Sequence, residues 1–203
     1  MSGERPVVLA VTGASGAPYA VRLLRALAEL AQPTWLIISS HGYRLLSTEM
    51  GIADQSALRD AVGATAWDAH VRVFDDGDRG ALPASGSVRT RGMVICPCSM
   101  GTVASIAAGT SRSLVERAAD VVLKERRKLI LVPRETPLSQ IHLENLLRVT
   151  QAGAVVMPAA PGFYHKPQSI ADLVDFMVAR VLDQLDLEHA VGRRWQGDAS
   201  PRA

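Results

Sequence analysis

The chain is poor in aromatic residues and has no marked excess of either charge. Phenylalanine, tryptophan and tyrosine make up 4% of its 203 residues, whereas hydrophobic residues as a whole make up 48%. We therefore expect an aliphatic core, which a chain of this length can bury in one domain. Lysine and arginine number 22, against 20 aspartates and glutamates. This balance gives no sign of the clustered positive charge that nucleic-acid binding requires, so no nucleic-acid partner is expected.

Long hydrophobic runs and cysteine motifs are also missing. No run reaches the roughly 18 apolar residues of a membrane-spanning helix, and the first apolar segment begins at Val7, which leaves no room for a signal peptide. Cys96 and Cys98 flank a single proline, a spacing that fits neither a redox motif nor a zinc site. We expect small buried thiols that point to the same side of a strand. A cytoplasmic protein without a metal centre or membrane contact is predicted.

The segment VVLAVTGASGAPY (7–19) carries the strongest local signal. Its short apolar run, bounded by turn residues, is typical of a buried parallel strand. Gly13 and Gly16 follow this run, and Pro18 suits the first turn of a helix. Glycines at such a junction allow the backbone to approach a ligand, and a helix N-terminus presents N–H groups to an anion. The segment therefore predicts a nucleotide or phosphorylated cofactor at the end of the first strand.

Strands and helices alternate along the rest of the chain. Apolar runs predict strands at 7–11, 35–38, 71–74, 93–96, 129–132 and 154–157. Helical periodicity predicts helices at 17–29, 41–50, 56–62, 102–108, 113–127 and 170–185, with a further one that ends near 152. Such alternation indicates a parallel sheet covered on both faces, an open α/β sandwich. We expect a single domain over 1–203, with its core at about 6–187 and a tail at 188–203.

The residues that follow the strands bear on the choice of ligand, because α/β sheets bind ligands beyond the carboxyl ends of their strands. A dinucleotide site would require G-x-G-x-x-G and an acidic residue at the end of the second strand. This chain has Gly13-x-x-Gly16 and Ser39-Ser40 at those places. Hydroxyl groups can donate to a phosphate without repelling it, so a mononucleotide such as FMN is the better prediction.

Several ionisable residues are candidates for contact with an anion. Arg117 and Lys124 are seven positions apart on one predicted helix and share a face, whereas Lys128 fits a solvated stripe. Arg180 stands among apolar residues of the last helix, either as a snorkelling side chain or within an anion site. The acid–base candidates are Glu49, Glu135, His142 and His165, of which His142 fits a structural role. Residue types alone thus indicate a cofactor site and a second anionic ligand.

Six motifs together give the chain a recognisable signature. They are TGASGA (12–17), PASGS (83–87), MVICPCSMGT (93–102), ERAADVVLKERR (116–127), LVPRETPLSQIHLEN (131–145) and PAAPGFYHKP (158–167). With these motifs the chain resembles the flavin prenyltransferases of the UbiX type over nearly its whole length.

The resemblance implies a flavodoxin-like (Rossmann-like) three-layer sandwich with a mostly parallel sheet. It implies transfer of a dimethylallyl group from dimethylallyl monophosphate to N5 and C6 of reduced FMN, without a metal. The prenylated FMN would serve UbiD-type decarboxylases, including those of ubiquinone biosynthesis. A homo-oligomer, usually a dodecamer with active sites between subunits, is also implied.

The resemblance also assigns roles by motif position. It implies that FMN contacts Gly13, Ala14, Ser15, Ser39, Ser99, Met100, Gly101, Thr102 and Arg134. It implies a donor site formed by Arg117, Lys124, Glu135, Tyr164, Arg180 and Trp195. Ser15 is expected close to the reacting N5, and Glu49 near the flavin. The catalytic set is then Ser15, Glu49, Lys124 and Glu135, with Glu49 and Glu135 as the candidates for proton transfer.

The sequence departs from the family pattern at two places, and two alternative functions remain. Met100 stands where the family has a small polar residue, and the segment between Glu49 and Val71 is short. One alternative is an FMN-dependent decarboxylase of the cysteine-decarboxylase group, which has a PASANT-like loop where this chain has PASGS (83–87). The other is a non-catalytic flavin carrier, for which the cationic residues would have no use.

Overall fold

A six-stranded sheet forms the centre of the computed structural model, which describes residues 5–192. The strands are β1 (Val7–Val11), β2 (Thr34–Ile38), β3 (Val71–Phe74), β4 (Gly92–Cys98), β5 (Leu129–Pro133) and β6 (Val155–Val156). Their order is β3-β2-β1-β4-β5-β6, and every pairing between them is parallel. The predicted α/β class is confirmed. The strands β2-β1-β4-β5-β6 have the flavodoxin order, and β3 extends one edge.

Helices cover both faces of this sheet. They are α1 (Ala17–Glu29), α2 (Ser40–Met50), α3 (Gln55–Val62), α4 (Ala64–His70), α5 (Met100–Ala108), α6 (Leu114–Lys124), α7 (Gln140–Gln151) and α8 (Ile170–Gln184). Helices α1 to α4 and α8 pack on the face that includes Val7 and Leu9 of β1. Helices α5 to α7 pack on the opposite face, which includes Val8 and Ala10. The predicted three-layer sandwich is confirmed.

Helix α4 was not predicted from the sequence. Its seven residues, ATAWDAH, contain a single large buried side chain, Trp67, so their pattern is not periodic. Gly63, with a φ of 113°, separates α4 from α3. Two predicted helices also start earlier in the structure, at Ser40 and Met100, because Ser39 and Ser99 act as their N-caps.

The two cysteines lie on opposite faces of the sheet, so the prediction that they share a side was wrong. Cys96 packs in the core with α1 and α8, and Cys98 packs in the core with α5 and α6. The register between β4 and β5 shifts between Ile95 and Cys98, which interrupts the usual alternation. Both thiols are free and buried, as predicted. Burial raises the pKa of Cys96 to about 12 and also raises the pKa of Cys98, so neither is reactive at neutral pH.

The long polar loop at 75–91 is anchored to α6. The N–H groups of Leu114 and Val115 donate to the backbone and side-chain oxygens of Asp76, at 2.7 and 3.0 Å. Arg127 donates to the backbone oxygens of Gly86 and Val88. The loop thereby fixes the PASGS motif beside the C-terminal end of α6. Among residues 5–192, no helix is long and apolar enough to cross a bilayer.

Gly42 allows the first turn of α2 to approach the end of β1. A Cβ atom at this position would lie 2.5 Å from the backbone oxygen of Val11. We expect Gly42→Ala to lower the free energy of unfolding of the apoprotein by about 1–3 kcal/mol, because the helix would have to move. Urea denaturation measures this difference.

Gly101 provides a matched control within α5, since a Cβ atom there would meet only the Ser99 hydroxyl at 3.9 Å. Gly101→Ala should leave the apoprotein unchanged or stabilise it by up to about 1 kcal/mol, the gain in helix propensity. Equal effects of the two substitutions would show that close approach at Gly42 is not the constraint.

Candidate active site

The end of β1 is hydrogen-bonded to the end of β4. The topological switch point of the sheet lies between these two strands. The Thr12 hydroxyl donates to the Pro97 oxygen at 3.1 Å and accepts from the Ser99 N–H at 2.9 Å. Thr12 is buried, so these bonds are shielded from water. They fix the turns after β1 and β4 side by side. In open α/β sheets, the crevice at such a switch point is the usual ligand site.

A cleft of about 410 Å³ opens at this place. Its lining residues are Thr12, Gly13, Ser39, Ser40, His41, Asp76, Ser99, Thr102, Ser113, Val115 and Glu116. This volume is within the range of about 300–1,000 Å³ that is typical of small-molecule sites. The cleft is therefore large enough for a mononucleotide.

Three helices begin at this cleft with a serine N-cap. Ser39 accepts from the Gly42 N–H at 3.1 Å, Ser99 from the Thr102 N–H at 3.2 Å, and Ser113 from the Glu116 N–H at 3.4 Å. Each serine oxygen accepts a helix N–H, so its own O–H proton can be donated to another group. The positive ends of α2, α5 and α6 therefore converge with hydroxyl donors, an arrangement suited to an anion.

The N-terminus of α1 is occupied by a side chain of the protein itself. Glu49 Oε2 accepts from the N–H groups of Gly16 and Ala17, at 3.0 and 2.8 Å. The sequence predicted that these N–H groups would bind the anion of a ligand. The structure corrects this, because the carboxylate at the end of α2 already satisfies them. An external phosphate would have to displace Glu49 to bind there.

Ser15, Glu49 and Arg134 form a cluster beside the cleft. Arg134 Nε donates to the Ser15 backbone oxygen at 3.2 Å, and the Ser15 side chain is hydrogen-bonded to Glu49. Burial would raise the pKa of the Glu49 carboxyl. The hydrogen bonds from Gly16, Ser15 and Ala17 and the charge of Arg134 outweigh burial, so the net pKa is lowered. Glu49 is therefore an anion at neutral pH.

One wall of the cleft is acidic. Glu116 accepts from the Arg112 N–H at 2.7 Å and from the Thr110 hydroxyl at 3.1 Å, and Asp76 bonds to the start of α6. Burial acts to raise the pKa of Glu116, but these hydrogen bonds lower it overall. A phosphate is therefore better accommodated at the opposite wall, near Ser39 and Ser99.

Five of the nine predicted FMN residues line the cleft or belong to its turns, and Ser15 and Arg134 lie in the cluster beside it, whereas the buried Ala14 and Met100 do not line it. Gly13, Ser39, Ser99 and Thr102 line it, and Gly101 belongs to the same turn. Met100 instead points into the core between α5 and the sheet and is 5% exposed. Its size therefore does not narrow the cleft. The hydroxyl donors, the helix N-termini and the volume fit FMN.

The predicted donor residues divide between the two faces of the sheet. Arg117 and Lys124 belong to α6, and the Lys124 ammonium lies beside Gly86 of the PASGS motif. Arg180 belongs to α8 on the opposite face, and Tyr164 packs edge-on against Phe176 of the same helix. The sheet therefore separates these two groups within one chain.

Each of the three cations has a carboxylate partner on its own helix or next to it. Arg117 pairs with Asp120 at 2.7 Å, Lys124 with Glu125 at 2.5 Å, and Arg180 with Asp183 at 3.0 Å. Glu135 is exposed next to Arg134 at the end of β5. Trp195 lies outside residues 5–192, so its place in the site stays a prediction.

Sequence reasoning missed several residues that line the cleft. Ser113 and Glu116 form the S-x-x-E pattern of a helix start, which could have been recognised. Asp76 follows β3, and its position at a strand end was a second available signal. His41 has no such signal: a Cβ at Gly13 would lie 2.6 Å from the His41 Cβ, a contact visible only in the fold.

The two other histidine candidates have structural surroundings. His142 Nδ1 accepts from the Ser139 N–H at 3.3 Å and completes a capping box at α7. The His165 ring stacks on Phe176, with ring centroids 5.4 Å apart. Neither lines the cleft described above.

The bond between Glu49 and α1 gives a pH-dependent prediction. At pH 7 we expect Glu49→Gln to lower the free energy of unfolding by about 0.3–1 kcal/mol, the usual value of a charge at a helix N-terminus. Because the folded-state pKa is lowered, this contribution is present above the ordinary value of 4.5 and is lost as the pH falls through the folded-state pKa. The difference between wild type and variant should therefore narrow below about pH 4.

Urea denaturation of both proteins between pH 3 and pH 7 measures this. Glu144→Gln, at an exposed position of α7, is the matched control, since it removes one carboxylate charge and leaves the bonds to α1 in place. A constant difference across the pH range would contradict the role given to the Glu49 charge.

Comparison with known proteins places the chain in a family. A model of the Flavoprotein family matches residues 1–182. The flavin prenyltransferase UbiX of Pseudomonas aeruginosa is 49% identical over 202 residues, and the alignment covers 96% of each chain. The crystal structure of AnUbiX (PadA1) in complex with FMN and dimethylallyl pyrophosphate matches with a TM-score of 0.88 at 43% identity, covering 96% of this chain and 98% of that chain.

A second solved structure is also similar along its whole length. It is a dodecameric FMN-dependent UbiX-like decarboxylase from Escherichia coli O157:H7, with a TM-score of 0.86 and 44% identity, covering 95% of this chain and 100% of that chain. The cleft between β1 and β4, the serine-capped helices and these similarities agree. The chain belongs to the Flavoprotein family and, within it, to the flavin prenyltransferases of the UbiX type.

Proposed function

We propose that this protein is a flavin prenyltransferase that transfers a dimethylallyl group from dimethylallyl monophosphate to N5 and C6 of reduced FMN. The observation that carries this proposal is the cleft at the β1/β4 switch point, with three serine-capped helix N-termini around it and the Ser15, Glu49 and Arg134 cluster beside it. We infer that the product serves UbiD-type decarboxylases. Two free, buried cysteines agree with a cytoplasmic location.

The phosphate of FMN is assigned to the wall formed by Ser39, Ser99 and Thr102. There it would receive hydroxyl and backbone donors and the positive ends of α2 and α5. Reduced FMN supplies the nucleophilic N5 and C6 atoms of the reaction. Ser15 is assigned to the flavin ring, since its backbone oxygen is held by Arg134 and its side chain by Glu49.

We assign Glu49 to the orientation of Ser15 and the first turn of α1, and not to proton transfer. Its lowered pKa makes it a weak base, and one of its oxygens already accepts two backbone N–H groups. The phosphate released from the donor has a second pKa of about 6 and is a stronger base than a carboxylate. We therefore infer that the proton lost from C6 goes to this phosphate, with the exposed Glu135 as the carboxylate candidate.

The donor phosphate is assigned to Arg117, Lys124, Tyr164 and Arg180. Negative charge grows on the phosphate as the allylic bond breaks, so preorganised cations stabilise the transition state more than the ground state. Loss of one such donor typically costs about 3–4 kcal/mol. A decarboxylation would have no phosphate leaving group, and these residues therefore favour prenyl transfer over the decarboxylase alternative.

A homo-oligomer accounts for the separation of the donor residues. Arg117 and Lys124 lie on one face of the sheet and Arg180 on the other, and we infer that they meet at one phosphate across copies of the chain. Helix α7 and the turn before it expose apolar side chains that a second copy could cover. They are Leu138, Ile141, Leu143 and Leu147, which are 43–68% exposed. We infer an oligomer, and the dodecamer of the Escherichia coli relative is the candidate.

Mass spectrometry of the flavin tests the proposed function. Anaerobic incubation of the protein with reduced FMN and dimethylallyl monophosphate should yield a flavin heavier by one five-carbon prenyl unit. Arg180→Ala should retain FMN but lower kcat/KM for the donor by about 100-fold or more, as expected for a lost phosphate contact.

The parallel incubation with dimethylallyl pyrophosphate compares the two donors. A flavin of unchanged mass, from protein that binds FMN and either donor, would overturn the proposed function. Loss of FMN from the Arg180→Ala protein would overturn only the assignment of Arg180.

A further inference from the structure

The segment after α8 folds back along that helix. Asp186 has a left-handed backbone, with a φ of 54°, and reverses the chain. Leu187 and Val191 then pack against the core shared with α1 and α8. Gly192 returns to the level of Ala179, since a Cβ there would lie 3.3 Å from the Ala179 Cβ. Residues 187–192 therefore cover α8 along its last turns.

This return places His189 beside α8. Its side chain is 1% exposed. The Val191 N–H donates to His189 Nδ1 at 3.2 Å, so the neutral ring carries its proton on Nε2. Nε2 lies 3.2 Å from Asp183 Oδ1 and donates to it. The backbone thus selects the tautomer that presents a donor to Asp183.

Asp183 connects this histidine to Arg180. Its second oxygen, Oδ2, accepts from Arg180 Nη1 at 3.0 Å. An exposed pair at i and i+3 on a helix is weak when it stands alone, because both side chains remain free to rotate. A bond from a nearly buried imidazole restricts the carboxylate and, through it, the guanidinium. The other N–H groups of the arginine remain available to a phosphate.

We propose that His189 and Asp183 are positioning residues that orient Arg180 toward the phosphate of the prenyl donor. The inference rests on the proposed function, in which Arg180 contacts that phosphate. It gives a role to residues 188–192, which belong to the C-terminal tail predicted from the sequence at 188–203. A preformed guanidinium binds the phosphate without first losing side-chain entropy, so the gain appears in donor affinity.

Steady-state kinetics of position 189 variants test this role. His189→Leu fills the space but cannot donate to Asp183, and we expect it to raise KM for dimethylallyl monophosphate about tenfold. His189→Gln keeps an N–H donor near the position of Nε2 and should remain within about threefold of wild type. FMN affinity and the thermal midpoint of unfolding, measured in parallel, should stay close to wild type for the Gln variant.

A double variant distinguishes an effect of His189 on the orientation of Arg180 from an effect on the stability of the fold. In an Arg180→Ala background, His189→Leu should cause no further rise in KM, because the group that it orients is gone. Asp186→Asn is the matched control: it lies in the same segment, pairs with Lys128 at 2.8 Å, and should leave KM unchanged.

Three results would overturn the inference. An unchanged KM in His189→Leu, or an equal rise in the presence and absence of Arg180, would contradict positioning while leaving the proposed function intact. A wild-type protein that makes no prenylated flavin would contradict the proposed function and, with it, this role.

Discussion

The hydrogen bonds of Glu49 to the first turn of α1 determine where an anion can bind in this fold. In most open α/β sheets the helix after the first strand presents its N–H groups to a phosphate. Here Gly16 and Ala17 donate to a carboxylate from the end of α2. The remaining helix N-termini at the cleft are those capped by Ser39, Ser99 and Ser113. The N–H groups of the turn after β1 are thus already satisfied, which agrees with the proposed placement of Ser15 at the flavin ring rather than at the phosphate.

The second constraint is the sheet itself. Its strands lie between the layer of α6 and the layer of α8, so Lys124 and Arg180 belong to opposite faces of one chain. Both cations are also held by carboxylates of their own segments. In the proposed intersubunit site, such pairing would limit the repulsion between the cations and keep their donors ordered. In the proposed function, the positions of these two helices link catalysis to oligomer formation.

The sequence was sufficient for the fold and for the location of the cleft. Strands β1 and β3 and helix α1 have the predicted bounds, since apolar runs and helical periodicity report burial directly. Serine residues at strand ends correctly indicated the cleft, because the carboxyl ends of parallel strands meet at one edge of the sheet. Helix α4 was not predicted, because its seven residues bury one large side chain and show no periodicity.

Contacts between distant segments could not be predicted in the same way. The placement of Cys96 and Cys98 on opposite faces of the sheet depends on a register shift, which no local sequence pattern indicates. The bond from Glu49 to α1 joins residues 33 positions apart, and the contact of His41 with Gly13 depends on the packing of α2 against β1. Arg117 and Lys124 are separated from Arg180 because α6 and α8 pack on opposite faces of the sheet. The spacing of residues in the sequence does not reveal on which face a helix packs.

Complementation between two defective chains tests most directly whether the site combines both faces of the sheet from different copies. Lys124→Ala and Arg180→Ala chains, each inactive alone, would be co-expressed with different tags and purified as mixed oligomers. Random mixing places both intact residues in about a quarter of the intersubunit sites. We therefore expect about that fraction of wild-type prenylation of FMN. Mixed oligomers, verified by native mass spectrometry, that remain inactive would contradict the account, since residues of a single copy would then form the site.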